Sequence, residues 1–226
     1  ATVGSHLSAS LGVANLLAGL SSSLPTVFEH KRTIAGRAKA LSGDTLEIDG
    51  TVIRLAGLAA PKTGQICRTR RGRAWRCGAR ARQRLRRVTG RAVIICRVTG
   101  SDPATGKCRR GQRDLGAQLI GRGLAFADTG SRYAEQEALA KQAQRGVWQG
   151  EAEHPQDYAD RIWASAKSRA PDGCPIKGEI RRGQKLYVMP WAREYSRARV
   201  TTRRGERWFC SEDAALAAGW RPIELS

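Results

Sequence analysis

The chain has 226 residues, of which 27% are charged and 41% hydrophobic, a balance that excludes a fibrous, disordered or membrane-embedded protein. Its formal net charge of +20 points to polyanionic partners: nucleic acid, acidic polysaccharide or an anionic membrane surface. The competing reading is a solvated surface in a proteome rich in Arg. Clustering separates the two, because residues 50–100 hold no Asp or Glu and carry Arg54, Lys62, Arg68, Arg70, Arg71, Arg73, Arg76, Arg80, Arg84 and Arg87.

Residues 1–30 read as a leader or linker, either the tail of a removed signal or anchor or an ordinary helix. Within them, residues 7–20 are too short and too polar to span a bilayer, and no other segment of the sequence suits one. Short strands follow at 33–41, 45–48 and 51–55, with Asp49 and Gly50 as a two-residue hairpin turn between the last two. Residues 63–73 read as a polar loop. Residues 73–88 fit a helix: Ala74, Gly78, Ala81, Leu85 and Val88 make a narrow apolar stripe, most other positions are Arg, and Gly90 stops it. A buried strand is expected at 92–98, a turn at 101–106 and a returning strand at 107–110. Asp114 opens a short helix to Ile120, and a further helix spans 133–145. This order describes an α+β protein with a five-stranded barrel followed by helices.

Composition shifts after Trp148. Residues 151–172 are expected to be a connecting helix and linker, leaving 31–150 as the barrel domain and 173–226 as a small C-terminal module. That module has strands expected at 176–180, 185–189 and 207–210. Ser211 caps a helix over 212–218 that has acids in its first turn and Gly219 as its stop.

The six cysteines, Cys67, Cys77, Cys96, Cys108, Cys174 and Cys210, show no Cys-x-x-Cys spacing, and the sequence has 3 His, so a zinc site is poorly supported. Disulfides in an oxidising compartment, periplasmic or secreted, are the preferred reading over six reduced cytosolic thiols. Six cysteines admit many connectivities. Pairing neighbours within one structural unit gives Cys67–Cys77, Cys96–Cys108 and Cys174–Cys210.

Ser42-Gly43-Asp44-Thr45-Leu46, Ile53-Arg54-Leu55 and Ala60-Pro61, then Cys77-Gly78, Gly106-Lys107, Asp114-Leu115, Gly123-Leu124-Ala125, Tyr133, Glu137 and Gly146-Val147-Trp148, form an ordered series. It resembles the staphylococcal nuclease-like (thermonuclease) family from about residue 32 to 150. The resemblance implies a five-stranded oligonucleotide-binding (OB) type barrel with three helices. It also implies a calcium-dependent phosphodiesterase site, which this sequence carries in degenerate form. Asp44 matches one calcium carboxylate and Arg54 one phosphate-binding Arg. Ala59 stands at the second carboxylate, Lys62 at the catalytic Glu, and Lys107 at the second Arg. Asp44, Arg54, Lys62 and Lys107 are therefore vestigial, and Asp44 fits equally well as a plain turn residue. The C-terminal sequence, from Cys174-Pro175-Ile176-Lys177-Gly178 to Gly219-Trp220, resembles a small module found after such domains in proteobacterial proteins.

Ca²⁺ takes six to eight oxygen ligands, usually several of them anionic, so no metal and no cofactor are expected. The expected function is non-catalytic binding of a polyanion, DNA or RNA or an acidic polysaccharide, through Arg54, Lys62, Arg68, Arg70, Arg71, Arg73, Arg76, Arg80 and Lys107. An Arg-rich helix beside the old cleft would extend it into one positive groove. Some nuclease-like proteins of this kind are linked to exopolysaccharide production, which keeps the polysaccharide in view. The alternative is a metal-dependent endonuclease with a rearranged site, using calcium and some of Asp44, Glu47 and Asp49. A protein partner held by the C-terminal module is a third class.

Overall fold

The computed structural model describes residues 1–2, 31–100 and 103–223. The leader expected at 1–30 lies, apart from its first two residues, outside the described residues, as do residues 101–102 of the expected turn.

Alternation of apolar and polar residues builds the barrel, because successive side chains of a strand leave opposite faces. In β1 (Arg32–Ala40), β2 (Thr45–Ile48) and β3 (Thr51–Leu55) the meander turns Ala40, Leu46, Ile48, Ile53 and Leu55 inward. Asp49 and Gly50 both have positive φ, the geometry that a tight hairpin needs between β2 and β3. β4 (Val93–Thr99) buries Ile94, Cys96 and Val98 and leaves Val93 and Arg97 outside. β5 (Ala104–Arg110) buries Ala104, Gly106 and Cys108; it starts three residues earlier than expected, because residues 104–106, read as part of the turn, pair with β3. The strand order is β3-β2-β1-β4-β5, and β5 returns to pair in parallel with β3, closing the cylinder. Cys96 lies directly opposite Cys108, and the two are bonded.

Three helices pack around the barrel: α1 (Cys77–Thr89), α2 (Leu115–Ile120) and α3 (Ala134–Gln142). α1 starts four residues later than the sequence suggests. Residues 67–68 and 74–75, expected to be loop and helix, instead pair as a two-stranded ribbon, and Cys67–Cys77 bonds that ribbon to the first turn of α1. The buried stripe is Gly78, Ala81, Leu85 and Val88; Ala74 is left exposed. α3 likewise ends earlier than expected, at Gln142. Asp114 caps α2 by accepting from Ala117 N (2.9 Å) and also accepts from the Tyr133 hydroxyl (2.8 Å). Glu137 accepts from Ala127 N (2.9 Å). These motif residues are thus spent on scaffold.

α4 (Pro155–Lys167) leads to the C-terminal sheet. There β6 (Ile176–Arg181) lies between β7 (Gln184–Val188) and β8 (Arg207–Phe209), with residues 221–222 on the outer side of β7. α5 (Glu212–Ala217) is capped by Ser211, which accepts from Ala214 N (3.1 Å). Ile176, Tyr187, Phe209, Ala215 and Trp220 form a core distinct from the barrel's. Cys174–Cys210 closes it. No helix among the described residues is long and apolar enough to cross a membrane.

Buried Glu206 accepts from Ile180 N (3.0 Å) and Thr201 N (2.8 Å), which, with Arg204 nearby, hold its carboxyl below the ordinary carboxylate range despite burial. A lowered folded pKa gives stability that is complete above the unfolded value and is lost as pH falls through the folded one. Glu206→Gln should therefore destabilise the protein at neutral pH and flatten the acid limb of its stability profile, read by denaturant titration at several pH values.

Cys174 and Cys210 are 36 residues apart, and a loop of that length contributes about 3–4 kcal/mol when cross-linked. Replacing both by Ser should loosen the C-terminal sheet by about that much. Hydrogen exchange should then quicken in β6 to β8 and stay unchanged in the barrel strands.

Candidate functional site

The loop between β1 and β2 can approach α1 closely because position 43 is Gly. A Cβ there would stand 2.6 Å from the Ala60 methyl and 2.7 Å from that of Ala81. This contact seats Asp44 against the strand-end segment carrying Ala59 to Lys62. Gly78 does the same for α1, whose first turn lies against the Lys62 backbone with no room for a side chain. Buried Gln65 ties the site loop down, accepting from Lys62 N (3.0 Å) and donating to the Glu153 carbonyl (2.8 Å).

Asp44, Arg54 and Lys62 are brought together in one cavity of about 220 Å³. Its far wall comes from the C-terminal part of the chain: Tyr187, Met189, Trp191 and Glu212. Three contacts hold that wall in place. Gly64 N donates to the Trp191 carbonyl (3.1 Å), the Lys62 ammonium lies 5.3 Å from the centre of the Trp191 ring, and Arg54 faces Glu212 at 3.6 Å. The Arg54–Glu212 pair is half exposed and contributes little to stability.

Both carboxylate oxygens of Asp44 are already in use. Oδ1 accepts from the Ser42 hydroxyl (2.6 Å) and the Thr45 hydroxyl (3.1 Å), and Oδ2 from Ala60 N (2.9 Å). Ala59 pairs with Phe126 in a short two-stranded bridge and offers no oxygen beyond its backbone. With Arg54 and Lys62 in the same cavity, the donor set does not fit calcium. Glu47 and Asp49, the carboxylates considered for a rearranged site, are not among the lining residues. Among the described residues no group of three or more His, Cys, Asp or Glu is placed to hold a metal ion.

Lys107 is on the outer face of β5 and does not line the cavity; it stands two residues beyond Thr105, the register partner of Arg54. Arg68, Arg70, Arg71 and Arg73 stand on or beside the ribbon, where Arg68 donates to the Gly72 carbonyl (3.1 Å). Arg76 and Arg80 stand at the start of α1. The sequence suggested a continuous groove from the cleft to these residues. Residues 191–194 lie between: Trp191 and Ala192 wall the cleft, while Arg193 and Glu194 line the surface that holds Arg76, Arg80, Arg82 and Arg86. Burial, then Arg86, pull the Arg82 pKa down, opposed by Glu194.

Sequence reasoning missed Trp191, Glu212, Asp128 and Arg122. The first two come from the far end of the chain, and only the docking of that end reveals them. Partial burial pushes the Asp128 carboxyl up, with Asp44 adding to the effect and His154 opposing it. Arg122 follows α2 and meets α1 only through tertiary packing.

The fold defines the class: an α+β protein on a closed five-stranded OB-type barrel with a disulfide-stapled C-terminal sheet. No family model matches the sequence. The succinoglycan biosynthesis protein ExoI of Rhizobium meliloti (strain 1021) is 31% identical over 129 residues, covering 54% of this chain and 68% of that protein. The chain belongs to the family of ExoI.

If the Lys62–Trp191 contact holds the wall, a double-mutant cycle of Lys62→Met and Trp191→Ala should give a coupling of about 0.5–1 kcal/mol, measured by urea unfolding. Additive effects would show that the two side chains are merely adjacent.

Proposed function

We propose that the protein binds a polyanion without cutting it, and that the surface used is the ribbon and outer face of α1 rather than the inherited cleft. The observation that carries this reading is the composition of that face. Arg73, Arg80, Arg84, Arg87 and Arg122 surround one depression that no carboxylate lines. Such a surface attracts phosphate- or carboxylate-bearing chains through charge and counterion release, with little sequence readout. The cleft supports the non-catalytic half of the proposal. Asp44 is engaged by three donors, Lys62 stands where the resemblance puts a general base, and the C-terminal sheet walls one side of the cleft.

The name of ExoI ties that relative to polysaccharide biosynthesis, which favours an acidic polysaccharide over nucleic acid as the natural ligand. Three disulfides favour an exported protein acting in the periplasm or outside the cell. In this reading residues 31–150 are the binding domain, and residues 173–226, joined by the 151–172 segment, form a module that closes the old site.

The test is a salt titration of affinity for an acidic polysaccharide and for duplex DNA. Affinity should fall steeply with salt, with a log–log slope on duplex DNA of about −0.9 per neutralised phosphate. Replacing Arg68, Arg70, Arg71 and Arg73 together by Ser should flatten the slope without unfolding the protein. Unchanged slope and affinity for both ligands would sink the reading. In parallel, plasmid and RNA should survive incubation with calcium, magnesium or manganese. Cleavage abolished by both chelation and Asp44→Ala would restore the nuclease alternative.

A further inference from the structure

The depression on the α1 face is more than a charged surface. It is a half-open cavity of about 350 Å³, and its walls come from four separate pieces of chain. Arg80, Arg84 and Arg87 rise from one face of α1, where residues three or four apart are neighbours. Arg73 and Trp75 come from the ribbon, Arg122 from the turn after α2, and Gly146 and Gln149 from the short helical turn before α4. Cys67–Cys77 fixes the ribbon to α1, so the spacing of these cations is set by covalent structure as well as packing.

The charges inside are not compensated. None of the five guanidinium groups has an Asp or Glu partner among the described residues. Burial, then Arg122 and Arg87, pull the Arg84 pKa down, so these cations are close enough to oppose one another. Two buried donors also go unused. The indole Nε1–H of Trp75 and the Nε–H of Arg84 meet no acceptor, although Arg84 Nη2 donates to Gln118 (3.1 Å). A buried donor without an acceptor costs about 1–3 kcal/mol. Both belong to side chains that line the cavity.

We infer that this cavity is a discrete binding site for a compact, multiply charged phosphate group, a phosphomonoester or pyrophosphate. Charge density selects that class. A phosphomonoester concentrates about −1.5 to −2 on three oxygens, and a pyrophosphate carries more on a body that still fits the cavity. Guanidinium forks match such oxygens two at a time. A polyuronate brings one charge per sugar ring and engages only part of the cluster at any moment. The inference uses the same five Arg residues that carry the proposed polyanion face and rests on that reading for the face being available. The site itself is a local arrangement of four chain segments.

The probe is inorganic pyrophosphate, titrated into the full chain at low salt by calorimetry. The assigned Trp75 indole N–H resonance is followed by NMR. Saturable one-to-one binding that moves the Trp75 signal is expected. Arg87→Gln with Arg122→Gln should weaken binding at least about tenfold. Arg91→Gln with Arg97→Gln removes the same charge outside the cavity and should change it less than twofold. Arg84→Gln is a further variant, to be read only if its melting temperature is retained, since Arg84 also holds Gln118. Equal weakening by the two charge-matched pairs, or no saturation, overturns the site. Glucuronate binding as tightly as pyrophosphate overturns the ligand class. Retention on polysaccharide or DNA columns without pyrophosphate saturation would remove this inference and leave the polyanion reading standing. Saturation without retention would do the reverse.

Discussion

Helix α1 must be held against the barrel while its outer face repels itself. Its buried stripe is narrow, with two small residues, Gly78 and Ala81, and two large ones, Leu85 and Val88. Its N-terminus has no side-chain cap and no acid in the first turn, and Arg76 and Arg80 place positive charge at the end where the helix dipole disfavours it. Only Arg86 and Arg87, in the last turn, suit the dipole. What secures the first turn is the Cys67–Cys77 bond, the close fit of Gly78 on the Lys62 backbone and the buried amide of Gln65. The basic cavity, the seat of Asp44 and the position of Lys62 all follow from that anchorage.

Much of this was legible in the sequence, for identifiable reasons. Strands β1 to β5 follow the alternation of their apolar residues, and the Asp49–Gly50 turn fixes the register between β2 and β3. The three disulfides followed from neighbour pairing because each links adjacent elements, most directly Cys96 and Cys108 on facing strands. The ribbon at residues 67–75 was not legible: its two pairs of residues carry no alternation, and a covalent bond and pairing override the helical spacing that Ala74 continues. The cleft was legible only on its barrel side. Asp44, Arg54 and Lys62 meet as the motif order implies, but the order of motifs says nothing about Trp191 or Glu212, which reach the cleft through docking of a distant sheet.

The C-terminal sheet is small, yet its core is well defined. Trp220 is fully buried and meets Phe209 edge to face at 5.4 Å, while Tyr187 donates to Glu212 (2.6 Å). Glu212 serves two structures at once, because it also faces Arg54 across the cleft. Lys177 is similarly committed, donating to the Tyr195 and Ala198 carbonyls, and burial pulls its pKa down. Tyr187 and Glu212, which line the cleft, are thus also engaged in holding the sheet and its wall.

The distribution of satisfied and unsatisfied groups separates the two cavities. In the cleft, each charged group has a polar or aromatic contact: Asp44 has three donors, Arg54 faces Glu212, and Lys62 lies over the Trp191 ring. In the α1 cavity five cations share a space that no carboxylate lines, and two buried donors meet no acceptor. Packing like charges together opposes folding unless another interaction offsets it. A stapled ribbon can maintain the arrangement, but it does not remove the repulsion; an anion does. Of the two cavities, the one with the electrostatic imbalance is where an anionic ligand has most to contribute.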